Sequence, residues 1–172
     1  MKEIVYNINN LCEDDIHGWV KRAKIIVVNS KEEIILAQTN DGYYFLGGHV
    51  ESNESDFDCL VRELKEEAGI DYEPKIGEPF VSIKYLLKDY PENGVNKGYI
   101  SNYYVVYEDI VFDSNNVSLT ESEKEVNFKI VYIHKDKILD EVNSSLMSCK
   151  NKNVVKDTLD VLKFFLENKN SK

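Results

Sequence analysis

A chain of 172 residues, 42% hydrophobic and 30% charged, can bury one sizeable core but is too short for two ordinary domains. Its formal net charge of −10 argues against a nucleic-acid polymer as partner, since such binding depends on clustered Lys and Arg; a small anionic ligand stays open where a cation mediates the contact. No apolar run resembles a membrane span or a signal peptide, and Cys12, Cys59 and Cys149, odd in number and without CxxC spacing, argue against a disulfide framework or zinc site, so the expectation is a cytoplasmic protein with reduced, inert thiols.

In chain order, residues 4–8 read as a short strand, followed by a polar connection carrying the only tryptophan, Trp19. "AKIIVVN" and "EIILAQT" are β-branched runs separated by a polar turn near Asn29 to Glu33, the signature of a hairpin. "YYFL" forms a third strand, entered through Asn40-Asp41-Gly42. A loop, "GGHVESNE", comes next.

From Ser55 the apolar period becomes 3.6. Phe57, Leu60, Val61, Leu64 and Ala68 share one helical face, Ser55 is the expected N-cap, and Gly69 takes the position after the helix that tolerates a left-handed backbone. "PFVSIKYLL" and "YISNYYVVYEDIVF" read as longer strands joined by the polar loop "KDYPENGVNKG". "EVNFKIVYIH" is a further strand with Val126, Phe128, Ile130, Tyr132 and His134 on one face. "KDKILDEVNSSL" predicts a short helix and residues 151–168 a longer amphipathic one. The sum is an α/β (α+β) domain with two or three helices packed over a sheet, a single unit over residues 1–172 with residues 1–20 and the last helix as flanking elements.

The helix beginning at Ser55 poses a question. Glu63, Glu66 and Glu67 stand at i, i+3 and i+4, where like charges destabilise an isolated helix by roughly 0.2–0.5 kcal/mol per pair. Magnesium offsets such repulsion: it takes octahedral oxygen ligands, usually one or two carboxylates together with water and substrate phosphate. Just upstream, Gly47 and Gly48 leave backbone amides unobstructed beside that face. Taken singly, an acidic helical face is most often solvated and a Gly-Gly pair most often a turn.

In register, however, Gly48, Glu54, Arg62, Glu63, Leu64, Glu66, Glu67, Gly69 and Ile70 fill every defined position of the pattern G-x5-E-x7-R-E-U-x-E-E-x-G-U, with U aliphatic. With residue frequencies of roughly 5–10% at the non-aliphatic positions, a chance match has a probability well below about one in ten thousand. This is the Nudix box, over residues 48–70, and the chain resembles a Nudix hydrolase.

The resemblance implies an α/β/α sandwich with a mixed sheet, and Mg2+ or Mn2+ held by Glu63, Glu66 and Glu67. One of these, or a later acidic residue, would activate a water that cleaves the diphosphate linkage of a small nucleotide: a dinucleoside polyphosphate, ADP-ribose or a nucleotide sugar, or a nucleoside triphosphate. Glu54 and Arg62 would brace loop against helix beside Gly48. From "LTESEKEVNF", Glu123 is favoured over Glu121 and Glu125 as the later acid. Gly47, Gly48, Tyr43, Phe45 and Tyr85 are candidate substrate contacts, with Trp19 and Tyr103 as further aromatic platforms, although strand aromatics are more often packing. Tyr85 lies at the edge of the window in which dinucleoside-polyphosphate-cleaving relatives carry a tyrosine.

Leu46 stands where the family commonly has Pro, which predicts altered loop rigidity without loss of chemistry. His49 reads as an incidental loop histidine, His17 and His134 as weaker candidates still, and Cys59 as inert, off the apolar face of its helix with no cation beside it. The family resemblance allows a homodimer and gives no role for a membrane. Two competing readings are a catalytically silent nucleotide-sensing domain on the same fold and an isoprenoid-diphosphate isomerase; the latter needs a suitably placed Cys, and none is evident.

Overall fold

The computed structural model describes residues 2–147, 149 and 152–169; Asn151, at which the predicted last helix begins, lies outside them. Seven strands form one mixed sheet: β1 (Lys2–Tyr6), β2 (Gly18–Val28), β3 (Glu33–Thr39), β4 (Gly42–Tyr44), β5 (Val81–Leu87), β6 (Lys97–Tyr107) and β7 (Lys129–His134). Their order is β1-β5-β6-β2-β3-β4, with β7 also paired to β3. β1 runs parallel to β5 and β2 parallel to β6, while the other pairs are antiparallel.

The hairpin from β2 to β3 pairs only through Val27 with Ile35 and Val28 with Ile34. Along the first half of β2 the place of a partner is taken by the loop that follows β4. Ile25 N–H donates to the Leu46 carbonyl at 3.0 Å, Ala23 N–H to Gly48 at 3.1 Å, and Val50 N–H to Lys21 at 3.0 Å. An early separation of the hairpin strands thus seats the Gly-Gly loop against the most central strand.

Alternation along the strands divides the core between the two faces of the sheet. Ala23, Ile25 and Val27 of β2 join Ile35, Tyr104 and Val106 under helix α1 (Asp56–Ala68), which contributes Leu60, Leu64 and Ala68. Ile26, Val28, Ile34 and Leu36 face the other way, against α3 (Ile138–Ser145) and α4 (Lys152–Lys169), where Val142, Val155, Leu159 and Leu162 cover them. Helices on both faces of a mixed sheet form the expected α+β sandwich.

Helix α1 is bounded as expected. Ser55 is its N-cap: Oγ accepts the Asp58 N–H while the Asp58 carboxylate accepts the Ser55 N–H, both at 3.2 Å, a reciprocal cap. Gly69 closes the helix in the left-handed region at φ 69°.

Elsewhere the structure corrects the predicted bounds. Trp19 lies inside β2, not in a polar connection: β2 begins at Gly18 because its parallel register with β6 is unbroken from Gly18–Lys97 to Val28–Tyr107. β1 occupies residues 2–6, and β6 ends at Tyr107, so "EDIVF" lies beyond the strand. Glu121–Glu125 form a short helix, α2, capped by Thr120, where a loop and the beginning of a strand were expected. Val126 and Phe128 therefore precede β7, and Asn127 turns the chain at φ 55°.

Candidate active site

Burying the apolar flank of α1 fixes the rotation of its carboxylates. Glu67, one residue from Ala68, is turned inward and only 8% exposed. Its Oε2 accepts the Gly47 N–H at 2.8 Å. Gly47 adopts φ +107°, and a Cβ there would lie 2.3 Å from the Ala23 carbonyl oxygen of β2; no side chain fits between loop and strand. At Gly48 an added Cβ would fall 2.0 Å from Glu63 Oε1. The two glycines are thus what allows the Glu63 and Glu67 carboxylates to lie against the loop backbone.

Arg62 joins the other acidic groups. Its Nε donates to Glu54 Oε1 at 2.8 Å, Nη1 to Glu63 Oε1 at 2.9 Å and to Glu66 Oε2 at 3.2 Å, and Nη2 to the His49 carbonyl at 2.9 Å. This hydrogen bonding keeps Glu54 well below the usual carboxylate range and Arg62 firmly charged. The Glu54 and Glu63 side chains are each 13% exposed, whereas Glu66 is 45% exposed.

Burial opposes ionisation deeper in. It raises Glu63, against the counteracting Arg62. Burial likewise lifts Glu67 to about 7, opposed by Lys24 and by the Gly47 N–H. Lys24 of β2 donates to the Gly47 carbonyl, and burial lowers its proton affinity while Glu67 and Glu63 raise it. The sequence reading missed this cation; a lysine at the head of an apolar strand run was the available signal.

Glu67 and Lys24 open onto a cavity of about 280 Å3, walled also by Arg22, Phe45, Tyr103 and Glu123. Glu123 comes from α2, where its carboxylate accepts the Thr120 N–H at 2.6 Å, and its charge contributes to the rise at Glu67. Glu121 instead pairs with Lys124 at 2.7 Å.

Of the aromatic candidates, Phe45 and Tyr103 line this cavity and Tyr85 lines a second. Tyr43 and Trp19 line neither. Tyr43 is 9% exposed and its hydroxyl donates to Glu141 of α3 at 3.3 Å; Trp19 packs on Gly98, where a Cβ would meet its ring at 2.3 Å. Burial, and then Arg22 and Lys24, lower the proton affinity of His49. Cys59 is in the core, not off it, and Arg62 Nη2 lies 3.7 Å from its sulfur; burial nevertheless pushes its thiol up to about 11, which keeps it unreactive.

Could these residues hold a divalent cation? Among the described residues no three His, Cys, Asp or Glu side chains converge closely enough to enclose one, because Arg62 engages Glu63 and Glu66 while Lys24 neighbours Glu67. The donor chemistry does fit. All the donors are hard carboxylate oxygens, the class that suits Mg2+ and Mn2+, and a magnesium ion needs only one or two of them besides water and phosphate. Burial disfavours the ionised forms of Glu63 and Glu67 even with Arg62 and Lys24 beside them, a cost that added positive charge would relieve.

Comparison with known proteins bears on the family and the fold. A family model described as the NUDIX domain matches residues 19–141. An RNA pyrophosphohydrolase of Ruthia magnifica subsp. Calyptogena magnifica is 31% identical over 80 residues, 45% of this chain and 44% of its own length; the match thus spans less than half of that relative. The MutT protein of Methanosarcina mazei Go1 superposes with TM-score 0.57 at 17% identity, covering 90% of this chain and 97% of its own. The E. coli ORF135 protein gives 0.56 at 18% identity, covering 94% and 98%. For the E. coli dihydroneopterin triphosphate pyrophosphohydrolase the values are 0.52 and 14%, with 86% and 95% covered. At such identities the structural likenesses establish the fold.

Proposed function

Because this chain belongs to the Nudix family, we propose that it is a metal-dependent pyrophosphohydrolase acting on a small nucleotide. The observation that carries the proposal is Glu67: a buried carboxyl held by the Gly47 N–H, opposite Lys24, on the wall of a cavity. Glu63, Glu66 and Glu67 would hold Mg2+ or Mn2+. When bound, that ion polarises the phosphoryl oxygens and lowers the pKa of water.

The chain's own residues do the rest. Glu67, whose proton affinity sits near neutrality, is suited to take the proton of the attacking water. Arg22 and Lys24, on the same cavity wall, face the phosphates and stabilise the charge that develops on them. Arg62 and Glu54 position the helix and loop that carry these groups, with Gly48 giving Glu63 its room. Glu123 stands across the cavity as a second carboxylate.

The protein acts as one unit, in the cytoplasm, on dissolved substrate. A nucleic-acid polymer is disfavoured by the net charge of −10, and no described helix is long and apolar enough to cross a membrane. One observation favours the silent-sensor alternative: Arg62 occupies two of the three carboxylates. A turnover screen separates the two. Purified protein with Mg2+ and with Mn2+ is offered dinucleoside polyphosphates, ADP-ribose, nucleotide sugars and nucleoside triphosphates beside Glu67→Gln. Release of a nucleoside phosphate by the parent and not by the variant supports the hydrolase. Absence of turnover on every substrate overturns it.

A further inference from the structure

Where α1 stops, its last carbonyls need partners, because the final turn of a helix has no following residues to supply them. The segment that follows β6 provides three. Asp113 N–H donates to the Ala68 carbonyl at 3.0 Å, Ser118 N–H to the Glu66 carbonyl at 2.8 Å, and Asn116 Nδ2 to the Gly69 carbonyl at 3.2 Å. The fit is close: a Cβ on Gly69 would lie 2.1 Å from the Asp113 carbonyl oxygen. The segment is thus fastened to the end of α1 that carries Glu66 and Glu67.

Just past Ser118 this segment becomes α2, five residues long. So short a helix has little stability of its own, and its cap gains weight accordingly. Thr120 N–H donates to Glu123 Oε2 at 2.6 Å, the Thr120 hydroxyl donates to the same oxygen at 2.7 Å, and Thr120 Oγ1 accepts the Glu123 N–H at 3.3 Å. The far side of α2 is tied as well: Asn40 N–H donates to the Val126 carbonyl at 2.8 Å and Asn127 Nδ2 to Asn40 Oδ1 at 3.1 Å. Both bonds from Thr120 fall on one carboxylate oxygen; among the described residues no hydrogen bond or ion pair engages the other, Oε1. Glu121, on the same turn, is by contrast paired with Lys124. The reciprocal cap at Ser55 and Asp58 has the same form, yet neither residue lines either cavity, whereas Glu123 lines the one that holds Glu67.

We propose that Thr120 is a positioning residue for the reaction: it clasps Glu123 Oε2, so that the carboxylate is held on the cavity wall it shares with Glu67 and keeps Oε1 for the reacting site. A glutamate side chain on an unsupported surface turn loses rotamer freedom whenever it is used; two short charge-assisted bonds hold it in one direction beforehand. Because the segment is fastened to α1 by Asp113, Asn116 and Ser118, the carboxylate keeps its place relative to the helix that bears Glu63, Glu66 and Glu67. The inference rests on the hydrolase reading, which it deepens by assigning the residue that places the second carboxylate.

Amide hydrogen exchange of the intact, metal-free chain tests the clasp independently of turnover. The Thr120 and Glu123 amides should be protected in the parent; Thr120→Val should speed exchange at Glu123, and Glu123→Ala at Thr120, each by roughly fivefold or more. Steady-state kinetics with Mg2+ and a substrate found in the turnover screen test its use. Thr120→Val should lower kcat about tenfold with KM within about twofold of the parent, and Thr120→Ser, which keeps the hydroxyl, should restore kcat. In a Glu123→Ala background the same Thr120→Val change should alter kcat by less than about twofold, because the hydroxyl acts through the carboxylate that is gone. A kcat indifferent to Thr120→Val, or a tenfold loss that persists in the Glu123→Ala background, would overturn the assignment. A parent with both amides protected that cleaves nothing overturns the hydrolase reading alone. Turnover by a parent in which both amides exchange freely overturns the clasp alone.

Discussion

The surroundings of the two cavities are built in different ways. Around α1 the carboxylates and the cap are tied within about twenty residues, Glu54 to Arg62, Ser55 to Asp58 and Gly47 to Glu67, while Asp56, Glu66 and Ala68 anchor the helix to distant Asn102, Ser118 and Asp113. At the second cavity, which Tyr85 lines, Tyr6 reaches Asp160 and Tyr85 reaches Asp157 across most of the chain, beside local pairs such as Gly94 with Asp89. One region is a local clamp of opposite charges whose geometry is set by a capped helix and two glycines; the other exists only once β1, the β5–β6 connection and α4 have come together.

The largest expected break in that contrast is Glu67→Gln. It should lower kcat by a factor on the order of a thousand or more, as read by steady-state kinetics. The two glycines of the clamp separate next. Gly48→Ala places a methyl group where Glu63 Oε1 now lies, so that flexible carboxylate must move, and activity should fall about tenfold or more with little loss of stability. Gly47→Ala instead meets the Ala23 backbone at a positive φ and should destabilise the fold by on the order of 1–3 kcal/mol, seen as a lower denaturation midpoint.

Arg62→Ala removes the partner of Glu54, Glu63 and Glu66 together. Leaving partly buried carboxylates unpaired should lower stability by about 1–3 kcal/mol at neutral pH, an effect that shrinks in acid as the carboxylates protonate. The pH dependence of Glu67 is subtler. Its folded carboxyl titrates near 7, against an ordinary value of 4.5, so the folded state holds an extra proton between those values. That contribution is complete below about pH 4.5 and is lost as pH rises toward 7. Metal-free Glu67→Gln, which keeps an acceptor for the Gly47 N–H, should therefore melt above the parent at pH 7.5, by an amount on the order of 2 kcal/mol, and match it near pH 4.5.

The same contrast governs how much could be read from the chain. The cap at Ser55, the stop at Gly69 and the line of Glu63, Glu66 and Glu67 were legible because helical spacing is a local rule, and the Nudix pattern is a string of such spacings. Glu123 was legible only as a candidate, since its place opposite Glu67 depends on α2, a helix of a single turn that a run of charges did not announce. Lys24 was missed because a charge inside an apolar strand run gives no hint of which loop will lie beside it. The surroundings of Tyr85 were out of reach: its distance from the box marks it as a candidate, but its stacking partner Tyr6 is 79 residues away in the chain and belongs to a strand whose pairing with β5 no local pattern specifies.

Calorimetric titration of Mn2+ into the parent and into Glu67→Gln tests the central claim, that the clamp around Gly47 and Gly48 takes up a divalent cation. Saturable uptake by the parent at submillimolar Mn2+, weakened at least about tenfold in the variant, is the predicted result. A parent that binds no cation at millimolar concentration, its carboxylates remaining with Arg62 and Lys24, would contradict it.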